Sequence, residues 1–109
     1  MGDRGHKLYI LARRDLSYGQ RVVQACHALA ELMVQHADDP TLREWAERHR
    51  TLVVLGVKDE RALKAWEADL GELGVACEAF VEPDFGGETT ALAIHPGADA
   101  RLFRRLRLL

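Results

Sequence analysis

Short apolar runs alternate along the chain with segments in which apolar residues recur every three or four positions. Residues 8–12 and Thr51–Val57 are almost continuously apolar, which predicts strands that are covered on both faces. Residues 75–81 and 90–94 predict two further strands around the loop E-P-D-F-G-G-E-T. Because only this short loop joins the last two strands, we expect them to pair as an antiparallel hairpin.

Helical periodicity predicts a long first helix over Tyr18–Gln35, with Ser17 as its N-cap. Its predicted core face consists of Val22, Cys26, Leu29 and Met33, widened by Val23, Ala30 and Val34. Asp39 and Pro40 open a shorter helix that we expect to continue to residue 48, with Leu42, Trp45 and Ala46 inward. Asp59 caps a third helix that ends near Gly74, and the tail after Gly97 predicts a short closing helix.

The resulting order, β-α-α-β-α-β-β-α, predicts one α/β domain over residues 1–109, built on a mixed four-stranded sheet with helices on both faces. In such sheets ligands bind at the carboxyl ends of parallel strands, where the following helix presents unpaired N–H groups. The segment 13–24, which links the first strand to the first helix, is therefore where we expect the functional site.

Composition narrows the possible functions. The net charge of −2, from 15 Lys+Arg against 17 Asp+Glu, argues against a protein that holds nucleic acid by bulk charge, although it leaves room for a local basic patch. Cys26 and Cys77 lie in apolar segments without metal-ligand spacing, so we expect buried thiols in a reducing compartment. No apolar stretch is long enough for a signal peptide or a membrane span, which predicts a soluble cytoplasmic protein.

A polar stripe runs along the first helix beside its predicted core face. Helical geometry places Gln20, Gln24, His27 and Glu31 within about 60° of one another. Such a stripe is commonly the solvated edge of an amphipathic helix. Its surroundings favour a site instead, because the apolar neighbours of His27 predict a half-buried ring and Gly19 leaves the helix entrance open. A basic rim suited to phosphate is supplied by Arg13, Arg14 and Arg21.

The segment D-L-S-Y-G-Q-R-V-V-Q-A-C-H-A, residues 15–28, resembles the signature of type 2 peptidyl-tRNA hydrolases, D-L-x-M/x-x-G-K-x-A-A-Q-x-x-H-A. A second segment, G-E-T-T-A-L-A-I-H-P, resembles the G-x-x-T-x-L-A-I-G-P of the same family on its last strand. The two motifs are colinear and span nearly the whole chain. Agreement in the first motif falls at Asp15, Leu16, Gly19, Gln24, His27 and Ala28.

The resemblance implies a compact α/β homodimer that hydrolyses the ester between a peptide and the terminal ribose of tRNA, with no metal or organic cofactor. Two departures stand out. Gln20 replaces the lysine of the G-K pair, and Arg21 is turned about 100° from that position on a helix. The family's D-x-G-x-T loop is also changed to E-P-D-F-G-G-E-T-T. We therefore expect a divergent member of the family.

Ester hydrolysis requires a group that activates water and a donor to the developing oxyanion. His27 is the candidate base, with Asp15 or Asp84 to orient it, and Gln24 or the backbone near Gly19 is the candidate donor. Substrate contacts are expected from Gly19, Gln20, Arg13, Arg14, Arg21, Thr89 and Thr90. Asp84 and Thr89 have capping or turn roles as their alternative.

Two other functions remain open from the sequence. One is a non-catalytic dimer that binds tRNA or a protein, and the other is a scaffold dimer without nucleic acid. Basic residues of the tail contribute to an RNA surface if they fold near Arg13 and Arg14, and otherwise form a solvated helix end. These tail residues are Arg101, Arg104, Arg105 and Arg107.

Overall fold

Four strands form one mixed sheet. They are β1 (Lys7–Arg13), β2 (Thr51–Val57), β3 (Cys77–Glu82) and β4 (Glu88–Ile94), in the spatial order β2-β1-β4-β3. β1 runs parallel to β2, and β4 runs antiparallel to both β1 and β3. The structure is a computed structural model and describes residues 6–109. Its four strands confirm the predicted mixed α/β sheet with its C-terminal hairpin.

Three α-helices connect the strands: α1 (Tyr18–Gln35), α2 (Pro40–Glu44) and α3 (Glu60–Glu72). Ser17, Asp39 and Asp59 cap them as the sequence predicts. The second helix does not continue to residue 48 as an α-helix, because a π-helical turn replaces it over Trp45–His49. That turn buries the Trp45 ring, whose Nε1 donates to the Thr51 carbonyl oxygen at 2.9 Å.

Each face of the sheet carries its own apolar core. On the α1 face, Leu8 and Ile10 of β1 and Ala91 and Ala93 of β4 pack against the helix. On the opposite face the core joins α3 to the other strand residues and to the tail. Its central members are Leu11, Leu55, Leu63, Leu70, Leu92, Ile94 and Phe103. Helices on both faces were predicted, and this arrangement confirms them.

The core face of α1 differs from the predicted one. Ala25, Ala28 and Leu32 are buried, each one residue before the predicted Cys26, Leu29 and Met33. One residue turns a helical side chain by about 100°. The small alanines of α1 pack in one cluster with the alanines of β4, so the helix lies close to the sheet and its larger apolar residues move to the flanks. The prediction from hydrophobic bulk was therefore correct for Leu29 and Met33, which are half-buried against this core. It was wrong for the five predicted residues that are exposed, Val22, Val23, Cys26, Ala30 and Val34.

The tail also departs from the prediction. Only a 3-10 turn over Ala100–Phe103 is helical, so the expected closing helix is wrong beyond it. The last residues run instead along the edge of β2, where the Gly56 N–H donates to the Arg107 oxygen and the Leu109 N–H donates to the Val54 oxygen. An unpaired strand edge leaves backbone donors and acceptors unsatisfied, and the extended tail satisfies them.

The cysteines are less buried than their sequence context predicts. Cys26 is exposed on α1, which contradicts the expected buried position, and Cys77 is half-buried on β3. Burial and the nearby carboxylates of Glu67 and Glu78 raise the pKa of the Cys77 thiol to about 11. Among residues 6–109, no helix has the length and apolar character needed to cross a membrane.

Candidate functional site

A β-bulge in the C-terminal hairpin sets the position of Thr90. Phe80 lies opposite Ala91 and Val81 lies opposite Thr89, so Thr90 is an extra residue of β4 without a counterpart on β3. Strict alternation would place Thr90 with Leu92 on the α3 face. The bulge turns the Thr90 side chain toward α1 instead, where it is completely buried.

Gln24 connects this threonine to a carboxylate. The Thr90 Oγ1 donates to the Gln24 Oε1 at 2.6 Å, and the Gln24 Nε2 donates to the Glu82 Oε1 at 2.8 Å. A carboxylate only accepts hydrogen bonds, so the amide nitrogen of Gln24 must face Glu82 and its oxygen must face Thr90. Gln24 is only 3% exposed, so this amide lies just below the protein surface.

Glu82 is held ionised at the outer end of this chain of hydrogen bonds. The amide of Gln24, then the backbone N–H of Asp84 and the charge of His27 keep the pKa of the Glu82 carboxyl below its usual value. Glu82 was not among the site residues predicted from the sequence, which included Asp84 instead. The signal was present, because Glu78, Phe80 and Glu82 alternate along β3 and so share the face that meets α1.

His27 lies next to this carboxylate on α1. Its ring stacks on the ring of Phe80 with centroids 4.5 Å apart and planes inclined by 18°. The residue is exposed, so the expected half-buried ring is wrong. An exposed imidazole beside a carboxylate is accessible to a substrate and to water.

Arg13 forms a second polar network at the same end of the sheet. Its Nε and Nη2 donate to both carboxylate oxygens of Asp15, at 2.9 and 2.8 Å, and its Nη1 donates to Glu88 at 2.7 Å and to the Thr89 carbonyl at 3.1 Å. The Thr89 N–H donates to Glu60 at 2.9 Å. This network fixes the start of β4, immediately before the bulge.

The pairing of Arg13 with Asp15 lowers the pKa of the Asp15 carboxyl below its ordinary value of 3.8. A lowered pKa in the folded state stabilises the fold above that ordinary value, and the contribution is lost as the pH falls through the lower folded value. Asp15 is therefore engaged with Arg13, and no hydrogen bond joins it to His27 within residues 6–109.

The other two residues of the predicted basic rim, Arg14 and Arg21, both donate hydrogen bonds to backbone oxygens. Arg14 donates to the carbonyl oxygens of Arg107 and Leu108 at 3.2 and 2.8 Å. Arg21 donates to the Leu16 and Arg14 carbonyl oxygens and lies over the Tyr18 ring, 4.5 Å from its centroid. Arg21 thus binds the segment that precedes α1, whereas Arg14 binds the C-terminal tail that runs beside β2.

The positions that enter α1 are open. A Cβ at Gly19 would meet no heavy atom within 4 Å. The exposed side chain of Gln20 folds back, and its Oε1 accepts the Ser17 N–H at 3.0 Å while the Ser17 Oγ accepts the Gln20 N–H. Gln20 thereby completes a capping box at the position where the family has lysine.

Asp84 and Thr89 complete the set of predicted site residues. Asp84 is exposed in the 3-10 turn Pro83–Phe85, and in the described part of the chain its carboxylate makes no hydrogen bond. The Thr89 side chain is buried, and the residue is held through its backbone.

Within residues 6–109, there is no group of three or more His, Cys, Asp or Glu side chains that could hold a metal ion.

Gln24, Thr90, Glu82 and His27 therefore converge at one end of the sheet.

Comparison with known proteins identifies the family of this chain. The family model described as "Peptidyl-tRNA hydrolase PTH2" matches residues 6–109. The chain is 37% identical over 102 residues to proteins named peptidyl-tRNA hydrolase from Halobacterium salinarum strains R1 and NRC-1, covering 86% of this chain and 88% of each relative. This chain belongs to the peptidyl-tRNA hydrolase PTH2 family.

Proposed function

We propose that this protein hydrolyses the ester bond between a peptide, or an N-blocked amino acid, and the terminal ribose of tRNA. The observation that carries the proposal is the buried Thr90–Gln24–Glu82 chain of hydrogen bonds, with the exposed His27 beside its outer end. Family membership adds the substrate class. A translation-related hydrolase of this kind acts in the cytoplasm, which we also propose.

Each side chain has a role in this proposal. Neutral His27 takes a proton from the water that attacks the ester carbonyl carbon, and it returns that proton to the departing ribose oxygen. The Glu82 carboxylate stabilises the imidazolium formed in between, a role that the sequence assigned to Asp15 or Asp84. Asp15 is held by Arg13, and the Asp84 carboxylate makes no hydrogen bond within residues 6–109, so Glu82 is the better placed acid.

Gln24 has two roles in this proposal: it holds the Glu82 carboxylate in place, and it donates a hydrogen bond to the reacting ester. An amide carries two N–H groups, of which Glu82 accepts one. The second N–H has no acceptor within residues 6–109, and we assign it to the oxyanion that develops as water adds to the carbonyl. Thr90 accounts for the amide oxygen and so fixes the orientation of this donor.

Release of free tRNA from N-blocked aminoacyl-tRNA tests this function against its alternative. A hydrolase releases tRNA faster than the spontaneous reaction, in proportion to the protein added. A binding module with the same fold retains the ester while it binds the RNA. Binding without any protein-dependent release would contradict the proposed hydrolase.

Gln20→Lys is expected to raise the hydrolysis rate by about 10-fold, because it restores a positive charge next to the ester. The same change removes the side-chain half of the capping box and is expected to lower the free energy of unfolding by about 0.5–1 kcal/mol. Single-turnover rates and thermal unfolding measure the two effects separately. Gln20→Ala is the matched control, since it removes the cap without adding a charge, and equal rates for the two variants would contradict the role assigned to this position.

We also propose that the protein is a homodimer that associates through the flank of α1 over β2. An open groove of about 320 Å³ lies there, with apolar lining from Ile10, Val22, Ala25, Cys26, Leu29, Leu52, Val54 and Leu109. Val22 is 61% exposed although it belongs to this lining. α1 spans about 27 Å, and a second copy of the same apolar face would cover the groove by two-fold symmetry.

Val22→Glu is expected to convert the dimer to a monomer, because a two-fold interface would bury the introduced charge twice. Light scattering at micromolar concentration gives the mass. Val34→Glu is the matched control, since Val34 is 73% exposed on the same helix but does not line the groove. A parent protein with the mass of one chain would rule out the dimer.

A further inference from the structure

A second open pocket, here called the basic groove, lies where the two parallel strands end. It has a volume of about 430 Å³ and is lined by Arg14, Asp15, Gly56, Lys58, Arg105, Leu106 and Arg107. Arg14 directly follows β1 and Lys58 directly follows β2, whereas the tail supplies the other two arginines. Four cations therefore surround one pocket in a chain whose net charge is −2.

In the described part of the chain, the cations of the basic groove form no ion pair with a carboxylate. Arg14 donates to the backbone oxygens of Arg107 and Leu108, and no carboxylate of residues 6–109 forms an ion pair with it. Lys58, Arg105 and Arg107 are exposed and form no ion pair within residues 6–109. Asp15 is the one acid of the lining, and Arg13 already binds both of its oxygens.

Gly56 is what lets Arg14 enter this pocket. A Cβ at Gly56 would lie 2.4 Å from the Arg14 Nε, so any larger residue would displace the guanidinium. The Gly56 N–H also holds the Arg107 carbonyl at 3.0 Å, which places the tail alongside Arg14. Backbone packing thus assembles cations from three separate parts of the chain.

The basic groove and the Gln24 site share one end and one face of the sheet. Leu52 and Val54 face the α1 side, and Gly56 follows them at the same alternation along β2. Gln24 and Thr90 meet on that side over β4, and Glu82 ends β3. Two to three strand spacings separate the groove from the site, roughly 10–15 Å.

We propose that the basic groove binds backbone phosphates of the RNA whose terminal ester lies at the Gln24 site. This inference rests on the proposed function and adds the side from which the RNA reaches the site. Guanidinium and ammonium groups that are free of carboxylate partners suit phosphodiester oxygens, and Arg provides paired donors to them. The rest of the slightly acidic surface repels the RNA, so the groove fixes its direction of approach.

Salt-dependent binding of deacylated tRNA to the full chain tests the groove. The double variant Lys58→Gln with Arg105→Gln removes two phosphate contacts. We expect the slope of log affinity against log salt to become less steep by roughly 2, and the affinity to fall about 10- to 100-fold near 0.1 M salt. The control, Arg43→Gln with Arg48→Gln, removes the same net charge from two exposed positions, one in α2 and one in the π-helical turn, and is expected to keep the parent slope.

Equal slopes for the two double variants would overturn the groove proposal. A second result would also overturn it: a polyglutamate peptide binds the parent but not the groove variant, while tRNA binds both proteins equally. The groove would then recognise an acidic protein. In single-turnover hydrolysis of N-blocked aminoacyl-tRNA near 0.1 M salt, the groove variant is expected to need about 10- to 100-fold more protein than the parent to reach half of its maximal rate. A groove-dependent slope without any hydrolysis by the parent would support the groove and contradict the proposed hydrolase, so the two failures are distinguishable.

Discussion

Gln24→Ala is expected to reduce ester hydrolysis by about 10²–10³-fold, as the loss of one oxyanion donor does in other hydrolases. The substitution also releases Glu82 and leaves the fully buried Thr90 hydroxyl without its 2.6 Å acceptor. The longer hydrogen bond from this hydroxyl to the Phe80 carbonyl oxygen, at 3.3 Å, remains. The loss of one hydrogen bond costs about 0.5–1.5 kcal/mol, so the free energy of unfolding is expected to fall by that amount as well. Single-turnover release of tRNA below the lowered melting temperature measures the catalytic part.

Gln35→Ala is the matched control for this prediction. Gln35 lies on the same helix, is exposed, and donates to Glu31 at 2.9 Å. We expect its loss to leave hydrolysis unchanged. A Gln24→Ala protein that is folded and hydrolyses at the parent rate would exclude Gln24 from the donor role and shift that role to the open backbone near Gly19.

His27→Ala is expected to lower the hydrolysis rate by about 10²–10⁴-fold, the range contributed by a positioned general base. His27 is exposed, so we expect little change in the free energy of unfolding beyond the loss of its stacking on Phe80. The measurement is the rate constant of tRNA release under single-turnover conditions.

His27→Phe separates proton transfer from stacking. Phenylalanine keeps an aromatic ring over Phe80 but accepts no proton. We expect His27→Phe to be as slow as His27→Ala. Recovery of the parent rate in His27→Phe would show that the ring matters as a packing surface, and it would remove His27 as the base.

The element order was predictable because each strand and helix has a strong local signal. Continuous apolar runs mark β1 and β2, and Ser17, Asp39 and Asp59 mark helix starts. The inward face of α1 was not predictable from hydrophobic bulk, since alanine-on-alanine packing decides it. The tail was mispredicted because its conformation depends on the open edge of β2, a contact distant in sequence.

The candidate site was accessible from the sequence only in part. Gln24 and His27 stand at positions that match the family signature, and helical spacing alone placed them side by side. The contribution of Thr90 depends on a bulge that changes which face its side chain occupies, and no local pattern specifies that bulge. Glu82 was overlooked although it alternates with Glu78 and Phe80 along β3, because an acid at the end of a strand also fits a turn and its hydrogen bond to Gln24 is a contact distant in sequence.

Hydrolysis of N-blocked aminoacyl-tRNA in ¹⁸O-labelled water tests whether the protein cleaves the ester by adding water to the carbonyl carbon. Water oxygen adds to the carbonyl carbon and the ribose oxygen leaves, so we expect one ¹⁸O atom in the released carboxylate and none in the tRNA. We also expect a single-turnover rate that exceeds the spontaneous rate and falls in His27→Phe and Gln24→Ala. A parent rate equal to spontaneous hydrolysis, or ¹⁸O in the RNA product, would contradict the proposed reaction.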